Sequence, residues 1–113
     1  MSLKKSEINV EVELDENHIP ENMQWQSSDQ GGWKDCKAIL LSVWDPNTME
    51  TLRIDLWTKE MQMDEMKMFM HQSILTMADT FEKATGEREM AMTIRDFCDY
   101  FAEKMGLKPE NPQ

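Results

Sequence analysis

Apolar and polar residues alternate strictly along "SEINVEVELDE", with Ile8, Val10, Val12 and Leu14 on one face and Asn9, Glu11, Glu13 and Asp15 on the other. A half-buried β-strand produces this period of two. The following segment is rich in turn formers, and within it only the Met23, Trp25, Ser27 alternation predicts a short second strand. "CKAILLSVW" is apolar at both parities, as in a strand covered at least partly on each side. "DPNT" supplies a turn, with Asp45 before a Pro46 whose φ is already set for the first central position. "TLRIDLW" then returns, sending Leu52, Ile54 and Leu56 one way and Arg53, Asp55 and Trp57 the other. Two strands joined by so short a turn pair antiparallel.

From Asp64 the period changes from two to about 3.6. Asp64 is the predicted N-cap and Gly86 the predicted left-handed residue after a helix of about twenty residues. At 100° per residue, Met66, Phe69, Met70, Ser73, Ile74, Met77, Phe81 and Ala84 form one stripe, the predicted core face. A second helix carries Met90, Ala91, Ile94, Phe97, Cys98, Phe101 and Met105 on its stripe, and Gly106 ends it. The expected fold class is therefore α+β: an antiparallel sheet of three or four strands followed by two amphipathic helices packed on one face. At 113 residues the chain is expected to form a single domain, 1–113, ordered over about 5–106 with a frayed polar tail at 107–113.

The net charge of -10 repels phosphate backbones and anionic lipid headgroups, so neither nucleic acid nor a membrane surface is an expected partner. No run approaches the roughly 20 consecutive apolar residues that cross a bilayer, and the N-terminus lacks the apolar centre of a signal peptide. Those two features predict a cytoplasmic protein without direct membrane insertion. Cys36 and Cys98 do not form a CxxC pair, and in a reducing compartment both are expected to stay thiols.

Twelve methionines, five of them within "MQMDEMKMFM", raise the question of a soft-metal site. Helix geometry answers it. Met66, Met70 and Met77 fall on the predicted core stripe, and Met63 and Met68 have the spacing of a hydrophobic staple if Asp64 is the N-cap. A copper site instead collects its thioethers on one exposed face. What remains is Met68, His71 and Leu75, which lie roughly 140° to 200° from Met66 on the face predicted to be solvated. An apolar group there is either scattered surface or a contact for a partner helix.

No catalytic constellation is recognisable. His18 and His71 belong to no HExxH motif, and the residues three and four before His71, Met68 and Lys67, supply no carboxylate. Asp79 with Glu82 and Asp96 with Asp99 are carboxylate pairs, but Lys83 and Arg95 stand at ion-pair spacing from them. There is no glycine-rich phosphate loop and no GxSxG elbow. No enzyme activity, metal or cofactor is expected. The alternating Arg53, Asp55, Trp57 face, with Trp44 and Trp25, has two readings: tryptophans packed under the long 15–35 loop, or a recognition face.

"TLRIDLWTKEM", "DEMKMFMHQSILTMADTFEKATGE" and "RDFCDYFAEKM", together with the N-terminal "SEINVEVELDENHIPENMQW", resemble the gliding motility protein GldC family over nearly the whole chain. The resemblance implies a small cytoplasmic accessory protein of the surface-gliding machinery and supplies no catalytic or ligand residues. The extra methionines, Met68 and Met92 among them, depart from the family pattern. Three functional readings follow. The first is a non-enzymatic protein–protein interaction module binding a gliding component through Met68, His71 and Leu75. The second is a small-molecule binder using the face of Trp25, Trp44, Arg53, Asp55 and Trp57. The third is a homodimer joined through Met68 and Leu75.

Overall fold

In a computed structural model, which describes residues 2–107, the strict alternation of the N-terminal segment folds as expected. β1 (Ile8–Leu14) pairs antiparallel with β2 (Pro20–Ser27), placing Val10 opposite Trp25 and Val12 opposite Met23. The register shifts at Glu13/Leu14, a bulge that relieves the strand as it enters the turn. β2 in turn pairs with β3 (Lys34–Cys36), giving a three-stranded sheet in the order β1-β2-β3. Met23, between Val12 and Cys36, is the buried centre of that sheet.

The long apolar segment does not stay one strand. It breaks at Lys37 into β3 and β4 (Ala38–Asp45), and β4 pairs with β5 (Glu50–Trp57) in a separate two-stranded ribbon. Five strands in sheets of three and two thus replace the three or four strands expected of one sheet. The connection between β4 and β5 is held by the Asp45 carboxylate, which accepts the Asn47 N–H at 2.9 Å, and by the Met49 N–H donating to the Asp45 carbonyl at 2.8 Å. Met49 closes this loop in the left-handed region, φ 58°, which an L side chain enters only at a cost.

Helix α1 (Met63–Thr85) is capped two residues before the predicted cap Asp64. Gln62 is the N-cap, and its N–H donates to the Glu65 carboxylate at 2.9 Å. That reciprocal first-turn geometry outcompetes Asp64, which instead joins Glu65 as negative charge near the positive end of the helix. Met63 becomes the first helical residue and is exposed, so Met63 and Met68 lose the staple spacing expected of them. Gly86 ends α1 at φ 75°, its N–H bonded to the Glu82 carbonyl.

Helix α2 (Arg88–Met105) follows directly and closes on Gly106, also left-handed. The short connection makes α1 and α2 antiparallel, which agrees with His71 facing Phe101 at ring centroids 6.0 Å apart. Ala78, Ala91 and Cys98 are buried in this helical pair. Small residues at these positions let two helix backbones approach closely.

The described residues form two compact units, 2–61 and 62–107. Antiparallel sheets followed by two helices make the chain α+β, as the sequence pattern predicts. The frayed tail expected at 107–113 lies, apart from Leu107, outside the described residues.

Candidate interaction surfaces

The β4–β5 register decides which side chains share a face of the ribbon. Leu41 opposes Ile54, Val43 opposes Leu52 and Ile39 opposes Leu56, so one face is aliphatic up to the Asp45–Glu50 pair at the turn. On the other face Ser42 opposes Arg53, Leu40 opposes Asp55, Ala38 opposes Trp57 and Trp44 opposes Thr51. The Arg53 guanidinium donates to Ser42 Oγ at 2.6 Å and pairs with the Asp55 carboxylate at 3.0 Å. A polar centre therefore lies between two tryptophans some six residues apart along the strand, a separation of about 20 Å.

Trp44 is 59% and Trp57 55% exposed, so the packing under residues 15–35 expected as one reading does not cover them. Trp25 is elsewhere. It lies on β2, with the Lys34 ammonium 5.5 Å from its ring centroid, and helps line a cleft of about 380 Å³ with Ile8, Val10 and the first residues of β4. Four of the five residues of the second candidate face are thus together on the ribbon, and the fifth belongs to the cleft.

Cys36 borders the same cleft. Partial burial, reinforced by the adjacent Asp35 carboxylate, pushes its thiol up from the ordinary cysteine value, and burial with Asp99 does the same for Cys98. Both are free thiols held protonated, and a protonated thiol is a poor nucleophile. Each behaves as a small apolar side chain.

The polar anchor of the first unit was not apparent from the sequence. Asp15 accepts the N–H groups of Asn17 at 2.7 Å and Ile19 at 3.0 Å with one carboxylate oxygen, and the Lys59 ammonium at 2.6 Å with the other. Lys59 also reaches Glu21 at 3.2 Å. The Lys59 contact, followed by the Ile19 N–H, holds the Asp15 carboxyl below its ordinary range, and the same pairing raises Lys59. The β1–β2 turn is thereby tied to the end of β5. An aspartate opening a turn is a readable signal; the lysine 44 positions away is not.

On α1, Met68 is 46% and Leu75 36% exposed, whereas His71 is half-buried beside Phe101. His71 therefore belongs to the seam with α2 and not to a solvated face. The side of α1 that meets α2 contains His71, Ala78 and Glu82, centred about 125° from the predicted stripe. Met77, predicted core, is exposed. The small residue Ala78 is fully buried on this side, and the bulkier methionine row is turned away from that seam.

The carboxylates read as local ion pairs are also arranged differently. Arg95 crosses from α2 to bond Asp79 and Glu82 of α1, each at 2.8 Å, in place of the expected Asp79–Lys83 and Asp99–Arg95 pairs. Asp79 first, then Glu82, raises the Arg95 pKa further. A planar guanidinium offers several donors in a fixed fork, which suits two carboxylates a helical turn apart. The cluster joins the helices and leaves Asp79 and Glu82 as acceptors.

Among the described residues no helix is long and apolar enough to cross a membrane. No match to the chain was found among curated proteins or among solved structures. Residues 20–107, from the start of β2 to the end of α2, match the family described as gliding motility-associated protein GldC-like, and with most of its length covered the chain belongs to that family.

Proposed function

We propose that this chain is a non-enzymatic protein-binding accessory of the gliding machinery, acting in the cytoplasm on another machinery component. Family membership supplies the process. The observation that carries the molecular reading is the β4–β5 ribbon, where Leu41, Val43, Leu52 and Ile54 are exposed on one face and Trp44 and Trp57 on the other. Such a concentration of exposed apolar side chains, with Arg53 and Asp55 between the two tryptophans, has the composition of a protein contact: aromatic and aliphatic anchors beside a few polar groups. The protonated thiols and the Arg95-bound carboxylates supply neither a nucleophile nor a free acid–base pair.

The test is affinity recovery from native lysate of a gliding bacterium, comparing the wild-type chain with Trp44→Glu/Trp57→Glu and with Met68→Glu/Leu75→Glu. The wild type is expected to recover a defined gliding component, and the tryptophan variant to lose at least tenfold of it while keeping its circular dichroism. Loss confined to the Met68/Leu75 variant would move the working surface to α1. A wild-type chain that recovers no gliding component would overturn the reading.

A further inference from the structure

Half of the backbone of β4 is turned away from its ladder with β5. The Thr58 N–H donates to the Lys37 carbonyl at 2.9 Å, and the register that pairs Ala38 with Trp57 makes Lys37 and Thr58 directly opposed. Hydrogen-bonded and non-bonded pairs alternate in an antiparallel ladder, so Ile39, Leu41 and Val43 bond to β5 as Lys37 does. Ala38, Leu40, Ser42 and Trp44 direct their N–H and C=O groups to the opposite side. Among the described residues no backbone group pairs with them there.

Exposed strand edges are ordinarily protected by charge or proline. β5 carries Glu50, Arg53 and Asp55, whereas β4 has neither a charged residue nor a proline from Ala38 to Trp44. Beside this unprotected edge lies the 380 Å³ apolar cleft. Four consecutive residues of β4, Ala38 to Leu41, line it, so the cleft reaches the strand from its side, with Ile8, Val10 and Trp25 across from it. A row of unpaired main-chain groups beside an apolar trough is the geometry that accepts an added strand: the backbone supplies binding and alternate side chains fill the trough.

We propose that the open edge of β4 binds an extended segment of a partner protein, apolar at alternate positions and flanked by Lys or Arg. This rests on the interaction reading above and specifies its partner. Charge selects the occupant. A second copy of the chain would bring another net charge of -10, whereas a basic segment is attracted to the same surface, including the hollow edged by Glu13, Glu21, Asp35 and Glu60.

The experiment selects binders to the immobilised full-length chain from a random dodecapeptide library and titrates the best one. Selected peptides are expected to alternate apolar residues and to be enriched in Lys and Arg. Leu40→Pro should weaken binding at least tenfold, because it removes an outward N–H and no β4–β5 ladder bond. Leu40→Ala, which keeps that N–H, should weaken it less than threefold. The same peptide N-methylated at alternate residues should lose at least tenfold against the wild-type chain, a readout independent of any variant's folding.

A library yielding no binder, peptides with a helical spacing of three and four, or equal binding to Leu40→Pro overturns the proposal. So does a dimer in sedimentation equilibrium that Leu40→Pro dissolves, which would assign the edge to a second copy. If Leu40→Pro leaves recovery of the gliding component unchanged, the edge is wrong and the interaction reading stands. If the wild type recovers none, the interaction reading itself fails.

Discussion

Residues 62–107 bury Ala78, Ala91 and Cys98 between two helices, whereas residues 2–61 bury only Met23 and Thr58 among five strands. A helix satisfies its interior backbone groups within itself, so a pair of helices needs only side chains to close. Here the closing residues are small, with the His71–Phe101 ring contact toward one end and the Arg95 cluster nearer the connection. A strand satisfies its backbone only through a neighbour, and a sheet that stops leaves an edge. The first unit compensates with polar ties, chiefly Asp15 to Lys59, and still presents β4. Order in the helical unit is thus side-chain packing, and reactivity toward partners in the strand unit is largely main-chain valence.

The sharpest way to break this contrast is to change packing in each unit. Ala78→Leu places a bulky side chain where the helices leave no space, and should cost about 2 kcal/mol in urea unfolding. Leu41→Ala in the half-exposed ribbon removes side-chain area already partly in water, and should cost less than about 1 kcal/mol. Comparable losses would mean that the ribbon is as tightly packed as the helical pair.

A smaller effect tests the polar tie. Because the folded Asp15 carboxyl is held below its ordinary value, chiefly by Lys59, its contribution is fully present above the unfolded pKa of about 3.9 and disappears as the pH falls through the lowered folded value. Thermal melts followed across the acid range should show wild-type stability falling below about pH 4, and Asp15→Asn should flatten that fall while lowering stability at pH 7. An unchanged acid slope would assign the turn's order to its backbone bonds alone.

The smallest change is a gain. Met49 is left-handed and exposed, so Met49→Gly relieves about 1 kcal/mol of backbone cost, partly offset by the freer unfolded chain. A net stabilisation of roughly 0.5 kcal/mol is expected by the same urea titration.

Patterning made β1, β5 and both helices legible, because each alternates or repeats over enough residues to exclude the other period. β3 has only the three residues Lys34–Cys36, too few to show a period, and its separation from β4 at Lys37 is marked by no turn former. The face of α1 that meets α2 was not singled out by the pattern, for a different reason. Counting apolar side chains rewards the methionine row, whereas the fully buried residue of the helix is Ala78, which carries little hydrophobic signal. The Arg95 cluster and the Asp15–Lys59 tie depend on which elements meet, and local spacing favoured nearer partners. Of the candidate residues, Arg53, Asp55 and Trp57 share a parity in the sequence, the β4–β5 register brings Trp44 to the same face, and Trp25 is separated from them by sheet membership. The open edge of β4 has no side-chain signature beyond its missing charges; the parity of its hydrogen bonds becomes visible only with the Lys37–Thr58 pair.

Among the described residues the sheet ladders and the helix pairing join consecutive elements: β1 with β2, β2 with β3, β4 with β5, and α1 with α2. Chains whose contacts are this local search little conformational space before native interactions begin to repay the loss of entropy, and they fold rapidly. During synthesis each hairpin can therefore form soon after its second arm leaves the ribosome, and β4 meets β5 before either helix has been made.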